Sequence, residues 1–235
     1  MYYSVIGLLA ALTLIIVNQD ILLNPKVSYI RPAWKVYRRF LFAVLIYYIT
    51  DILWGIIESK KLATSLFVDT TIYFIAMAAG IAFWSEYIVT YLDEKNRFGT
   101  FLIHVGRIFA AVITILVIVN VFRPVLFIVD EACVYHELPV RNVSLVCQIL
   151  LLIIISVYCF SSMIVSDKEH EMRTRFRILG SFGVIMAVCL FIQLFFPYLP
   201  IYSIGYMLGS CMLHTFVAND EKEEIKREQK EAEKL

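Results

Sequence analysis

The sequence predicts an all-α, polytopic membrane protein: a bundle of seven transmembrane helices with the N-terminus outside and the C-terminus inside. Composition is the first reason, since 60% of the 235 residues are hydrophobic and 17% charged, with a mean hydropathy of +0.77. That is too apolar for a soluble domain of this length. The second is length, because a bilayer core about 30 Å thick needs roughly 20 apolar helical residues and the chain offers seven such runs. The third is the alternation of basic residues between successive connections, which orients the chain.

The runs fall near Tyr3–Leu23, Phe40–Ile57, Leu66–Tyr91, Phe98–Phe122, Val143–Val165, Ile178–Phe196 and Ile201–Val217. "MYYSVIGLLAAL" has neither a basic segment nor a small-residue cleavage site, so it reads as a first membrane helix and not as a removable signal. Between the runs stand "NPKVSYIRP", "ESKKLAT", "LDEKNRFG", "FRPVLFIVDEACVYHELPVR", "SDKEHEMRTRFR" and "PYLP", rich in turn formers and charge. The first, third and fifth connections hold Lys26, Arg31, Lys35, Arg38 and Arg39, then Lys95 and Arg97, then Lys168, Arg173, Arg175 and Arg177. The others hold only Lys60, Lys61, Arg123 and Arg141, which sets the odd connections inside. Trp34 and Tyr37, in the first of them, read as anchors of an amphipathic stretch at the lipid interface.

Residues 1–219 make the seven-span domain and 220–235 the opening of a cytoplasmic helix. In "VANDEKEEIKREQKEAEKL" Ala218, Ile225, Ala232 and Leu235 fall on an a/d-like seam among Glu and Lys. Such a strip pairs with its twin as a coiled coil, which predicts a homodimer, or stays a solvated helical tail.

Charged residues inside a bilayer cost about 2.5 to 3.5 kcal/mol each on insertion scales, so each needs a reason. Tyr47, Asp51, Trp54 and Glu58 recur on one face of the second span, with Asp51 near mid-membrane and Glu58 at the rim. Asp69 and Tyr73 stand one turn apart on the third, Gln193 near the outer end of the sixth, and Tyr198, Tyr202 and Tyr206 at four-residue spacing at the start of the seventh. Converging, these faces make an outer pocket for an unknown small ligand, and carboxylates over aromatic rings suit a cation or amine. Otherwise the tyrosines belong to the interfacial aromatic belt and Asp51 bonds a neighbouring helix.

In the inner half, Glu86 and Arg107 lie at matching depth as an ion pair, with His104 on the face of Arg107 and His214 near the inner end of the seventh span. These four are structural contacts or a switch. The longest outer connection holds two β-prone runs, Val125–Val129 and Cys133–His136, around Asp130–Ala132, a hairpin able to cap the pocket. Its Asp130, Glu131, His136 and Glu137 read as loop surface in preference to a metal site. Gly205 and Gly209 permit close helix packing. The five cysteines show no metal or redox spacing and read as buried thiols.

No cofactor, metal or nucleic-acid partner is expected; the lipid bilayer is. There is no Lys in Ile201–Asn219 for a retinal Schiff base, no PQ dipeptide, no Asn-Pro-x-x-Tyr, no Gly-rich phosphate loop, no HExxH and no GxSxG. Catalysis by this chain is therefore not expected.

"YYSVIGLL…NQDILL", "PAWKVYRRFLFAVLIYYITDILWGI", "YFIAMA", "YLDEKNRF" and "HTFVANDEKEEIKREQKEAEKL" resemble the N-terminal seven-helix membrane domain of signalling proteins from anaerobic gut Firmicutes. There the tail helix runs on into a diguanylate cyclase (GGDEF) domain. The resemblance implies a sensor head in a bacterial plasma membrane, coupled to cyclic di-GMP output, with no site residue inherited; the GGDEF motif is absent from this chain. Two rival readings are a small-solute transporter using Asp51, Glu86, His104 and Arg107 as a relay, and a membrane assembly domain.

Overall fold

A computed structural model describes residues 2–23, 32–92, 96–165, 170–196 and 199–215. The helices are α1 (Tyr2–Val17), α2 (Gln19–Leu23), α3 (Pro32–Ser59), α4 (Ala63–Tyr91), α5 (Arg97–Phe122), α6 (Pro139–Val165), α7 (His170–Phe195) and α8 (Ile201–Leu213). One two-stranded sheet, β1 (Phe127–Val129) and β2 (Tyr135–Glu137), lies between α5 and α6. Among the described residues five helices, α3 to α7, are long and apolar enough to cross a membrane, and two shorter apolar helices, Ser4–Val17 and Ile201–Leu213, pack with them. The chain is thus an all-α, membrane-embedded bundle. The coiled-coil seam, Lys26, Arg31, Lys95, Lys168 and Tyr198 lie outside the described residues.

Contacts run around a ring. α3 packs on α1 and α4, α4 on α5, α1 on α8, α8 on α7 and α7 on α6, while α5 and α6 barely meet. Only 22% of the apolar window of α5 is buried, against 44% to 56% in the other four long helices, which puts α5 at the rim of the bundle. Exposed Ile108, Val112, Ile115 and Ile118 along α5, and Val5, Leu8, Leu12 and Ile16 along α1, form the apolar jacket that lipid would cover.

Several elements differ from the sequence reading. The first predicted span is interrupted at Asn18, whose Nδ2 donates to the Leu14 carbonyl at 3.1 Å and whose Oδ1 accepts from Tyr37 OH at 3.0 Å. α3 starts at Pro32, where a missing N–H and a fixed φ suit the first helical position. It carries Trp34 and Tyr37 into the core, so neither is a lipid-interface anchor. Tyr37 meets the Tyr87 ring at 4.9 Å, and Trp84 meets Phe182 at 4.0 Å, an aromatic core at the end of the bundle opposite the hairpin. α7 likewise begins eight residues before its predicted start, burying Arg175 over the Tyr91 ring at 5.9 Å. Cys147 is exposed on α6, against the expectation of a buried thiol.

The α7–α8 contact needs glycine. A Cβ on Gly209 would stand 2.2 Å from the Phe182 ring, and one on Gly205 2.9 Å from Cys189 Sγ.

Candidate functional site: a polar cavity under the hairpin

The hairpin is held by one buried side chain. Asn120, in the last turn of α5, accepts at Oδ1 from the backbone N–H groups of Val125 (2.7 Å) and Leu126 (2.8 Å) and donates from Nδ2 to the Phe127 carbonyl at 3.1 Å. β1 and β2 then pair antiparallel, Phe127 with Glu137 and Val129 with Tyr135. The turn closes through Cys133, whose φ of 64° is left-handed, and through Asp130, whose Oδ1 accepts from Val134 N–H at 2.7 Å. Asp130 Oδ2 also lies 3.0 Å from His136 Nε2. Val134 N–H first, then the His136 side chain, hold the Asp130 carboxyl below its ordinary range. Glu137 bonds Arg141, one turn into α6. These residues thus spend their polar groups bracing the hairpin, and no cluster able to hold a metal ion occurs among the described residues.

Beneath the hairpin lies a partly open cavity of about 670 Å³, a volume that includes open solvent at its mouth. α3 supplies Asp51 and Trp54, and α4 supplies Thr70, Tyr73, Phe74 and Met77. Tyr135 of β2 closes over them, its ring 6.4 Å from that of Trp54 and 5.8 Å from that of Phe127. Arg141 and Leu145 of α6, Leu190 and Gln193 of α7 and Tyr202 of α8 complete the wall.

The floor is a hydrogen-bonded layer between α3 and α8. Asp51 is 1% exposed, and Ser203 Oγ donates to its Oδ2 at 2.5 Å. The same Ser203 hydroxyl is bonded to Tyr47 OH at 3.2 Å, and the Ser203 carbonyl accepts from Tyr48 OH at 3.3 Å. Gln193 Oε1 accepts from Tyr202 N–H at 2.8 Å, which pins the first turn of α8 to α7. Tyr202 OH takes a bond from Gln148 Nε2 at 2.5 Å and shares one with Tyr206 OH at 2.8 Å.

Of the sequence-predicted ligand residues, Asp51, Trp54, Tyr73, Gln193 and Tyr202 line the cavity. Tyr47, Asp69 and Tyr206 do not, so the converging faces bring five of the eight expected residues to the wall. The Tyr47 ring sits at 5.0 to 5.8 Å from Tyr48, Tyr73, Tyr202 and Tyr206, beneath the lining. Asp69 is buried beside the lining, with Oδ2 unpartnered among the described residues. Reading one helix at a time cannot say how far each face is rotated toward its neighbours.

Of the second predicted set, the Glu86–Arg107 ion pair forms as expected, while His104 and His214 do not join it. Arg107 Nη2 donates to Glu86 Oε2 at 3.0 Å, with the Arg107 side chain 58% exposed. His104 turns away, its Nδ1 2.7 Å from the Thr100 carbonyl of its own helix, and His214 follows α8 at the far end from Tyr202. Glu86, His104 and Arg107 do not line the cavity that holds Asp51.

Sequence reasoning missed Arg141, Ser203, Gln148, Tyr135 and Asn120. Gln148 and Asn120 are lone amides in apolar runs and carried a signal of their own. Arg141 passed for an ordinary flanking charge, yet it is 6% exposed.

Fold and cavity together define a membrane-embedded helical bundle with a buried polar chamber roofed by a short hairpin. No family model, no curated protein and no solved structure matches the chain.

Proposed function

We propose that this chain is a membrane-embedded sensor domain: a small ligand from the outside or from the membrane enters the cavity under the hairpin and shifts the packing of seven spanning helices. α1 and α8 supply the two spans beyond the five long ones, with the N-terminus outside and the C-terminus inside. The observation that carries the reading is the cavity itself, where buried Asp51, Gln193 and Arg141 meet aromatic rings from three helices and one strand. Buried polar groups in lipid are costly, and a chamber built from them is a feature of binding sites.

Transmission follows from position. α8 contributes Tyr202 to the wall and Ser203 to Asp51, so a ligand that engages Asp51 or Tyr202 preferentially in one packing biases α8. The helix leads toward the charged tail, a seam for homodimerisation. The output is a diguanylate cyclase domain joined to that tail, a step that rests on the resemblance of sequence stretches alone.

The test is thermal stability of the purified domain against amines, amino acids, fatty acids, sugars and divalent cations, with Asp51→Asn in parallel. A compound that raises the melting temperature of the parent and not of the variant supports the sensor. No shift with any compound, in protein that is otherwise folded, overturns it in favour of an assembly domain.

A further inference from the structure

The cavity wall holds a carboxyl and a guanidinium. Asp51, 1% exposed, lies in its wall, and so does Arg141, 6% exposed, in the first turn of α6. Arg141 spends Nη1 on Glu137 Oε2 and on Asn142 Oδ1, the latter at 3.0 Å. Neither of these bonds uses Nε or Nη2. A guanidinium with donors to spare is shaped for a carboxylate, which it binds through two parallel N–H bonds. The start of α6 adds the partial positive charge of a helix N-terminus. Trp54, Tyr73 and Tyr135 offer ring faces to an ammonium group near Asp51, and Met77, Leu145 and Leu190 offer apolar surface.

Resting on the sensor reading above, we infer that the ligand is a small zwitterion with an apolar body, its ammonium toward Asp51 and its carboxylate toward Arg141. An apolar α-amino acid has this chemistry. A simple amine satisfies Asp51 and leaves the spare donors of Arg141 without an acceptor; a simple carboxylate brings a second negative charge toward Asp51 and no cation. Each analogue forgoes one of the two charge-assisted contacts that the zwitterion makes, so the site discriminates by charge pattern more than by shape.

Direct binding to the full chain in lipid nanodiscs tests this, with L-phenylalanine and L-leucine as zwitterions, and phenethylamine and 3-phenylpropionate as the analogues that each lack one charge. At least one amino acid is expected to bind, with the single-charge analogues weaker by about tenfold or more. Arg141→Gln should erase the preference over phenethylamine, and Asp51→Asn the preference over 3-phenylpropionate. Arg141→Lys, which keeps the charge without the fork, should retain part of the first preference and shows that a loss in Arg141→Gln is not misfolding. Equal affinity for phenylalanine and phenethylamine, or binding only of a compound without both charges, overturns the zwitterion while leaving a ligand-binding sensor. Absence of binding by all four compounds in monodisperse protein overturns the zwitterion, and only failure of the wider panel as well overturns the sensor reading beneath it.

Discussion

Asp51 is tolerable in an apolar bundle because Ser203 donates to it at 2.5 Å. Ser203→Ala removes that donor and leaves a buried acceptor short of a bond, at a cost of about 1 to 3 kcal/mol. The expected outcome is a lower melting temperature than for Ser210→Ala, since the Ser210 hydroxyl only bonds the Met207 carbonyl of its own helix. Outside the bundle, Asp130 gives the hairpin a dependence on acidity. Folding lowers its carboxyl from the ordinary 3.8, so the stabilisation is present above that value and is lost as pH falls through the lower, folded one. Protection from hydrogen exchange across 127–137, relative to the intrinsic rate at each pH, should therefore fall below about pH 4, and Asp130→Asn should flatten that acid limb.

At the scale of elements, the hairpin and the α7–α8 pair each depend on one small residue. Asn120→Ala orphans the N–H groups of Val125 and Leu126, which costs at least about 2 kcal/mol. Because Tyr135 roofs the cavity, the same substitution should speed protease cleavage within 124–138 and quench or shift the Trp54 fluorescence. Gly209→Ala places a methyl group against the buried Phe182 ring and should destabilise by about 1 to 3 kcal/mol. Adding Phe182→Leu should recover part of that loss, the non-additivity being the sign of direct contact. Full additivity would mean that α7 and α8 do not approach so closely.

The whole molecule has one topology to defend. Seven spans with an outside N-terminus require that a cysteine at Lys61, in the α3–α4 turn, react with a membrane-impermeant maleimide in intact cells, and that a cysteine at Arg97 react only after permeabilisation. Reversal of both would invert the protein; equal labelling would remove a span. The proposed spans beyond the five long helices are the short α1 and α8, and these flank Asp51, with Gly7 packed near Asp51 and Ser203 bonded to it.

Hydrophobic runs and the turn formers between them sufficed for the all-α membrane class and for most helix centres, because burial in lipid demands long uninterrupted apolar segments whatever their neighbours. They did not suffice for the starts of α3 and α7, where charged residues that read as loop are helical and Trp34, Tyr37 and Arg175 pack inward. Asp51 and Trp54 were legible on one face of their span, and Tyr73 beside Asp69 on the next. The Arg141 guanidinium, the Ser203 bond and the Tyr135 roof come from α6, α8 and β2, distant in sequence, and only the closing of the ring brings them to Asp51. What the sequence alone determined is the solvent in which this chain folds; which side chains share a chamber was decided by helix rotation and contact, which no single helix encodes.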